Sequence, residues 1–242
     1  MKKVTSTARL ALQLTWKIVL LVFVLTLGVQ LFFVCRELMP GGVPLQTTFG
    51  FETLIRSAVQ GAGKWFMWLL MPFLSVAAAA GKGSKSVYTL NRLGLSENTA
   101  TLIFGGVFTG YFLLYWAVQL AFAYGVFVWY SRLSLVSSNT FMLAVWRSEW
   151  LHTLLPLGEW WNYLRNLVIC ICFGCSSAFA SQRHHRGKQA TGYLLPPFLL
   201  GSTLLDGRIG SFPQDIVLTI TLAAFTVGSW FVMKGGREDE DL

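Results

Sequence analysis

From Lys17 to Arg36 the chain carries no charged side chain, and the residues between are almost all Leu, Val and Phe. A bilayer core is about 30 Å thick, so a helix needs about 20 mostly apolar residues to cross it. A charge at the centre of such a helix costs roughly 2.5–3.5 kcal/mol on insertion scales. Gaps between charges therefore mark spans. They fall near 16–36, 65–81, 102–130, 166–182, 190–205 and 216–233. The third gap, from Glu97 to Arg132, suits one long tilted helix and is too short for two helices and a turn. Pro196-Pro197 interrupts the fifth. The fold expected is an all-α integral membrane protein: one transmembrane domain over 1–242, with about six transmembrane helices and short interfacial helices.

Composition agrees. Charged residues make up 12% of the 242 and hydrophobic ones 54%, whereas a soluble domain carries about 25% charged residues. The net charge of +8 could point to nucleic acid, but no such partner is expected, because the basic residues sit in loops, where Lys and Arg set orientation. With the N-terminus cytoplasmic, 12 of the 19 basic residues fall on the cytoplasmic side. Both termini are then cytoplasmic, with 234–242 as a tail, and the chain is expected in the cell membrane. The basic start resembles a signal peptide, but its apolar run is long and no A-x-A site follows, so the first span reads as retained.

Residues 1–15 are polar and basic, with Leu10, Leu12 and Leu14, and read as a short interfacial helix. The segment 131–165 mixes Trp146, Trp150, Trp160 and Trp161 with Arg147, Glu149, His152 and Glu159. That mixture suits helices lying at headgroup depth, or a substrate gate or re-entrant hairpin bent at Pro156. Cys170, Cys172 and Cys175 share the fourth span with no His or acidic residue. They read as small packing residues rather than metal ligands, and no metal is expected. Arg183-His184-His185-Arg186 reads as a basic loop facing lipid headgroups.

Ion-coupled carriers and intramembrane metalloproteases keep ionisable residues at mid-membrane depth. This sequence places none near the centre of a span and contains neither H-E-x-x-H nor G-x-S-x-G. The glycine–lysine sites at Gly61–Lys64 and Gly81–Ser84 both miss the P-loop pattern. No catalytic site and no bound cofactor are expected, and any ATP and Mg would sit on another subunit.

In the cytoplasmic loop between the second and third spans, 82–99, residues Tyr88, Leu90, Leu93 and Leu95 supply apolar surface. Asn91, Arg92 and Glu97 supply polar contacts, with Ser96, Asn98 and Thr99 as N-cap candidates. The stretch Thr-Leu-Asn-Arg-Leu-Gly-Leu-Ser over 89–96 resembles the "T-L-x-R-L-x-[LVI]-S" coupling-helix region of ABC-2 type ABC transporter permeases. Six spans, an N-terminal interfacial helix and cytoplasmic termini also resemble that family. The large outer segment departs from it, since here it lies between the third and fourth spans rather than the fifth and sixth. The resemblance implies a permease subunit docked through Tyr88–Glu97 on a P-loop ATPase subunit. It implies pairing with a second permease chain, as a homo- or heterodimer, and export of a lipid, peptide or apolar compound. The alternatives are a non-transport structural or sensor subunit of a membrane complex and, third, an enzyme with an unfamiliar site. Tyr111, Tyr115 and Gln119 recur every fourth residue and so share one face of the third span. That stripe should face protein or a cavity, as a candidate substrate path or as hydrogen bonds within a packed bundle.

Overall fold

The protein is described here from a computed structural model covering residues 2–38, 48–81, 95–133, 140–205 and 212–238. These residues are helical apart from short turns, with no strand among them. In chain order the helices are α1 (Lys2–Leu38), α2 (Thr48–Leu54), a π-helical turn (Ile55–Gln60), α3 (Gly61–Gly81), α4 (Glu97–Leu133), α5 (Thr140–Arg147), α6 (Glu149–Leu154), α7 (Trp160–His185), α8 (Thr191–Leu205) and α9 (Phe212–Glu238). Five segments are long and apolar enough to cross a membrane, namely α1, the α2–π–α3 rod, α4, α7 and α9. That marks a multi-pass membrane protein. The fifth expected span, 190–205, corresponds to α8, whose 15 residues reach only about 22 Å at 1.5 Å per residue.

The helices run past the spans expected from charge gaps. Residues 1–15 were expected as a separate interfacial segment, but from Lys2 onward they continue without a break into the span. Lys17 does not interrupt the backbone ladder because it lies on an exposed face. Ser96 caps α4: Thr99 N donates to its Oγ at 3.3 Å.

The two terminal helices are patterned inside out. On α1 the buried positions are Thr7, Ala11, Thr15, Val19, Val22, Thr26, Gln30 and Val34, one helical stripe, while Leu20, Leu21, Val24, Leu25 and Phe32 are exposed. On α9, Asp215, Thr219, Leu222, Thr226, Ser229 and Met233 face inward and Val217, Ile220, Val227 and Phe231 outward. A water-soluble helix does the opposite. The threonines satisfy themselves locally: Thr15, Thr26, Thr219 and Thr226 donate to carbonyls four residues back at 2.6–3.0 Å.

Helix α7 is the hub. Of its best membrane-length window 72% is buried, against 28% for α1 and for α9. It packs on α3, α4, α8 and α9, and its small residues permit this. A Cβ placed on Gly174 would overlap the backbone of Thr109 on α4, and one on Gly105 of α4 would lie 3.3 Å from Cys175 Sγ. On α8, a Cβ at Gly201 would enter the ring of Phe173. Close backbone approach through small residues is how helices associate in lipid, where apolar side chains gain little by leaving the solvent. One apolar core then runs through α1, α3, α4, α7 and α8 around Leu70, Phe104, Phe108, Phe112 and Phe173. A second core joins the end of α1 to α2, the π turn, α4, α5 and α6 around Phe51, Tyr130 and Trp150.

Gly174→Ala should therefore destabilise by on the order of 1–3 kcal/mol through overpacking. Gly106→Ala, which meets open space, should be neutral or stabilising by up to about 1 kcal/mol. Thermal unfolding of both variants in one detergent checks the contrast.

Candidate functional site

The end of the bundle that carries α5 and α6 is called here the hairpin end. Ser148 separates these two helices. Its backbone is extended, and its Oγ accepts from Leu151 N at 3.4 Å to start α6. After Leu154 the chain turns through Pro156 and Gly158, whose φ of 81° is open to glycine, and enters α7 at Trp160. The last carbonyls of α6 would be orphaned. Asn166 Nδ2 donates to Thr153 O at 2.5 Å and Trp116 Nε1 donates to Leu154 O at 2.8 Å. The hairpin is thus sewn to α7 and α4.

Under it lies a buried ion pair. Arg165 on α7 and Asp215 in the first turn of α9 approach to 3.2 Å, with side chains 8% and 9% exposed. Trp161 Nε1 donates to the second carboxylate oxygen at 2.8 Å. Arg165 Nε donates to Asn166 Oδ1 at 3.4 Å, which links the pair to the α6 terminus. The position of Asp215 at a helix start favours its negative charge. Above the pair opens a vestibule of about 580 Å³. Trp146, Trp160 and Phe212 supply apolar faces, and Arg147, Glu149, His152 and Glu159 supply charges of both signs. A ligand with apolar and polar parts could be held here.

The vestibule adjoins the bundle core. Thr153 lines both it and an inner cavity of about 20 Å³, which Tyr115, Gln119, Trp150, Asn166 and Cys170 also line. Next to this cavity the helices exchange polar contacts. Gln30 Nε2 donates to Gln119 Oε1 at 2.7 Å and to Val59 O, in the π turn, at 3.0 Å. Tyr115 OH donates to Gly63 O at 2.9 Å, and Thr15 Oγ1 and Tyr111 OH are hydrogen-bonded at 3.2 Å. Gly63 must be glycine, because a Cβ there would lie 2.9 Å from both Gln119 Oε1 and Trp150. Beside it, buried Lys64 places its Nζ 5.9 Å from the centre of the Trp150 ring.

The stripe Tyr111, Tyr115 and Gln119 is therefore brought together, facing α1 and α3 of the same chain, with Tyr115 and Gln119 on the inner cavity. Of the expected docking residues, Tyr88, Leu90, Asn91, Arg92 and Leu93 lie outside the described residues. Leu95 is half-buried, and Glu97 pairs with Arg186 on α7 at 2.8 Å. Sequence reasoning missed Gln30 and the Arg165–Asp215 pair. Both had a signal: a lone glutamine in an apolar run, and opposite charges opening two spans from the same end. The four cysteines are free thiols, and no group of metal-ligating side chains occurs among the described residues.

Removing one partner of a buried ion pair costs about 3–5 kcal/mol, because the other charge is stranded. Arg165→Met and Asp215→Leu should each lose about that much, and the double variant should recover part of it. A double-mutant cycle by thermal unfolding in detergent measures the coupling, and additive losses would show that the pair does not act as a unit. No protein-family model, curated protein or solved structure matches the chain, so the functional reading rests on its residues and their geometry.

Proposed function

We propose that the chain is a permease subunit that carries an amphipathic or apolar compound or a peptide across the membrane, powered by a separate P-loop ATPase subunit and paired with a second permease chain. The observation that carries this reading is the adjacency of two cavities at the hairpin end. Thr153 lines both a roomy vestibule with aromatic and charged walls and an inner cavity bordered by Tyr115 and Gln119. Polar side chains inside a bundle are costly unless paired, and such groups commonly mark a path for cargo. Here they are paired between helices, so moving the helices would expose them to a passenger.

The far end of the bundle supports the link to an energy source. The loop that resembles a coupling helix enters α4 at Glu97, and Glu97 is tied to the last turn of α7 by Arg186. A push on that loop would reach the hub helix directly. In this reading the cytoplasmic face carries that loop and both termini, in accord with the basic-residue bias.

Affinity purification of the full chain from its native membrane should bring down a P-loop ATPase. In the reconstituted complex, Arg92→Glu and Leu93→Glu should leave ATP hydrolysis in place while transport falls. Gln119→Leu should shift preference among substrates rather than abolish transport. A chain that purifies without an ATPase, or normal transport in both charge variants, would overturn the proposal in favour of a structural or sensor subunit.

A further inference from the structure

We infer that the vestibule at the hairpin end takes a cationic amphiphile: an ammonium group, quaternary or protonated, attached to an apolar body. As a statement about cargo this rests on the permease reading, because it names the class of compound that would enter the proposed route. The vestibule of about 580 Å³ falls within the usual size of small-ligand pockets, about 300–1,000 Å³.

The aromatic walls come from three helices. Trp146 lies at the end of α5, Trp160 at the start of α7 and Phe212 at the start of α9. They are 65%, 73% and 61% exposed, so a ligand in the vestibule can reach all three. Trp161 fixes the arrangement of two of them. Its Nε1 donates to Asp215 at 2.8 Å, and its ring stands edge-to-face with Trp160 at 6.2 Å and with Phe212 at 6.0 Å. Indole rings that only anchor helices at headgroup depth can sit anywhere around a bundle, whereas these border one cavity. An aromatic face carries negative charge density and attracts a cation, Trp most strongly, and a set of such faces is a common receptor for quaternary ammonium groups.

The charged groups of the vestibule favour the same sign of ligand. Its arginines are already engaged. Arg165 donates through Nη1 to Asp215 and through Nε and Nη2 to Asn166 Oδ1, and Arg147 has an interaction partner as well. An anionic ligand would have to compete with these contacts. The carboxylates keep acceptor capacity. Glu149 is exposed and makes no ion pair among the described residues. Glu159 is 56% exposed, accepts from Asn162 Nδ2 and has one oxygen 3.7 Å from His152 Nε2, while a carboxylate offers about four acceptor sites. An ammonium group in the vestibule would meet aromatic faces and carboxylate oxygens together, and its apolar body would lie against the same rings.

The test uses the full chain in a nonionic detergent and follows thermal unfolding as benzyltrimethylammonium or benzenesulfonate is added. The two probes share a ring and carry opposite charges. Benzyltrimethylammonium should raise the unfolding temperature saturably, as a ligand of the folded state does, and benzenesulfonate should do so much less. Trp160→Leu keeps apolar bulk but removes the aromatic face, and it should weaken the apparent affinity roughly fivefold. Glu149→Gln should weaken it roughly threefold, as loss of an exposed ion pair implies. Trp65→Leu, at another exposed tryptophan that lies outside the vestibule, should leave it intact. Equal responses to the two probes, no saturable response, or an undiminished response in both Trp160→Leu and Glu149→Gln would overturn the inference. Neither ATPase nor transport enters this test, so its failure leaves the permease proposal standing. A chain that binds the ammonium probe but purifies without an ATPase keeps the site and loses the permease reading.

Discussion

Gly174 sets the backbone of α7 against Thr109 on α4, and the rest of the bundle is arranged around that crossing. Small residues at 172, 174, 176–178 and 180–181 keep α7 slender enough to be surrounded. Because α7 contacts α3, α4, α8 and α9, its two ends are where polar side chains from different helices meet. One end carries Arg165 and Asn166, and the other carries Gln182, Arg183 and Arg186.

The second constraint is that polar groups away from water must find partners inside the protein. The chain meets it in two ways. Threonines on α1 and α9 bond back to their own helix, and Thr15 also reaches Tyr111 on α4. Gln30, Gln119, Tyr115, Trp116 and Asn166 instead bond across helices, often to carbonyls freed at helix ends or at the π turn. The π turn is the clearest case: its Val59 carbonyl accepts the Gln30 amide, and irregular turns of this kind recur at functional sites. Such contacts fix helix register as well as adding stability, each worth roughly 0.6 kcal/mol in a membrane bundle.

Much of the fold was legible because charges are expensive in lipid. The gaps that began at Lys17, Lys64, Glu97, Arg165 and Asp215 each correspond to a long helix. Helix ends were less legible, since the backbone ladder continues through charged residues on exposed faces, as at Arg9 and Lys17. The shortness of α8 could be suspected from Pro196-Pro197, yet the helix persists through both. The stripe Tyr111–Tyr115–Gln119 was visible as a period of four, but its partners were not. Gln30 lies 89 residues from Gln119 and Asp215 lies 50 from Arg165. Periodicity says which face of a helix is polar, and only packing says which helix it meets.

In the proposed permease the vestibule and the inner cavity are two parts of one route, with Thr153 between them. Substituted-cysteine labelling tests that most directly, with single cysteines at Asn162, Thr153 and Gln119 in a variant whose four native cysteines are alanine. Labelling with a small impermeant reagent should be compared in energised and energy-depleted membranes. Position 162 should react in both conditions, and 153 and 119 should react only when the membranes are energised. Reaction at 162 with silence at 153 and 119 in both conditions, while transport remains intact, would contradict the account and leave the vestibule a blind pocket.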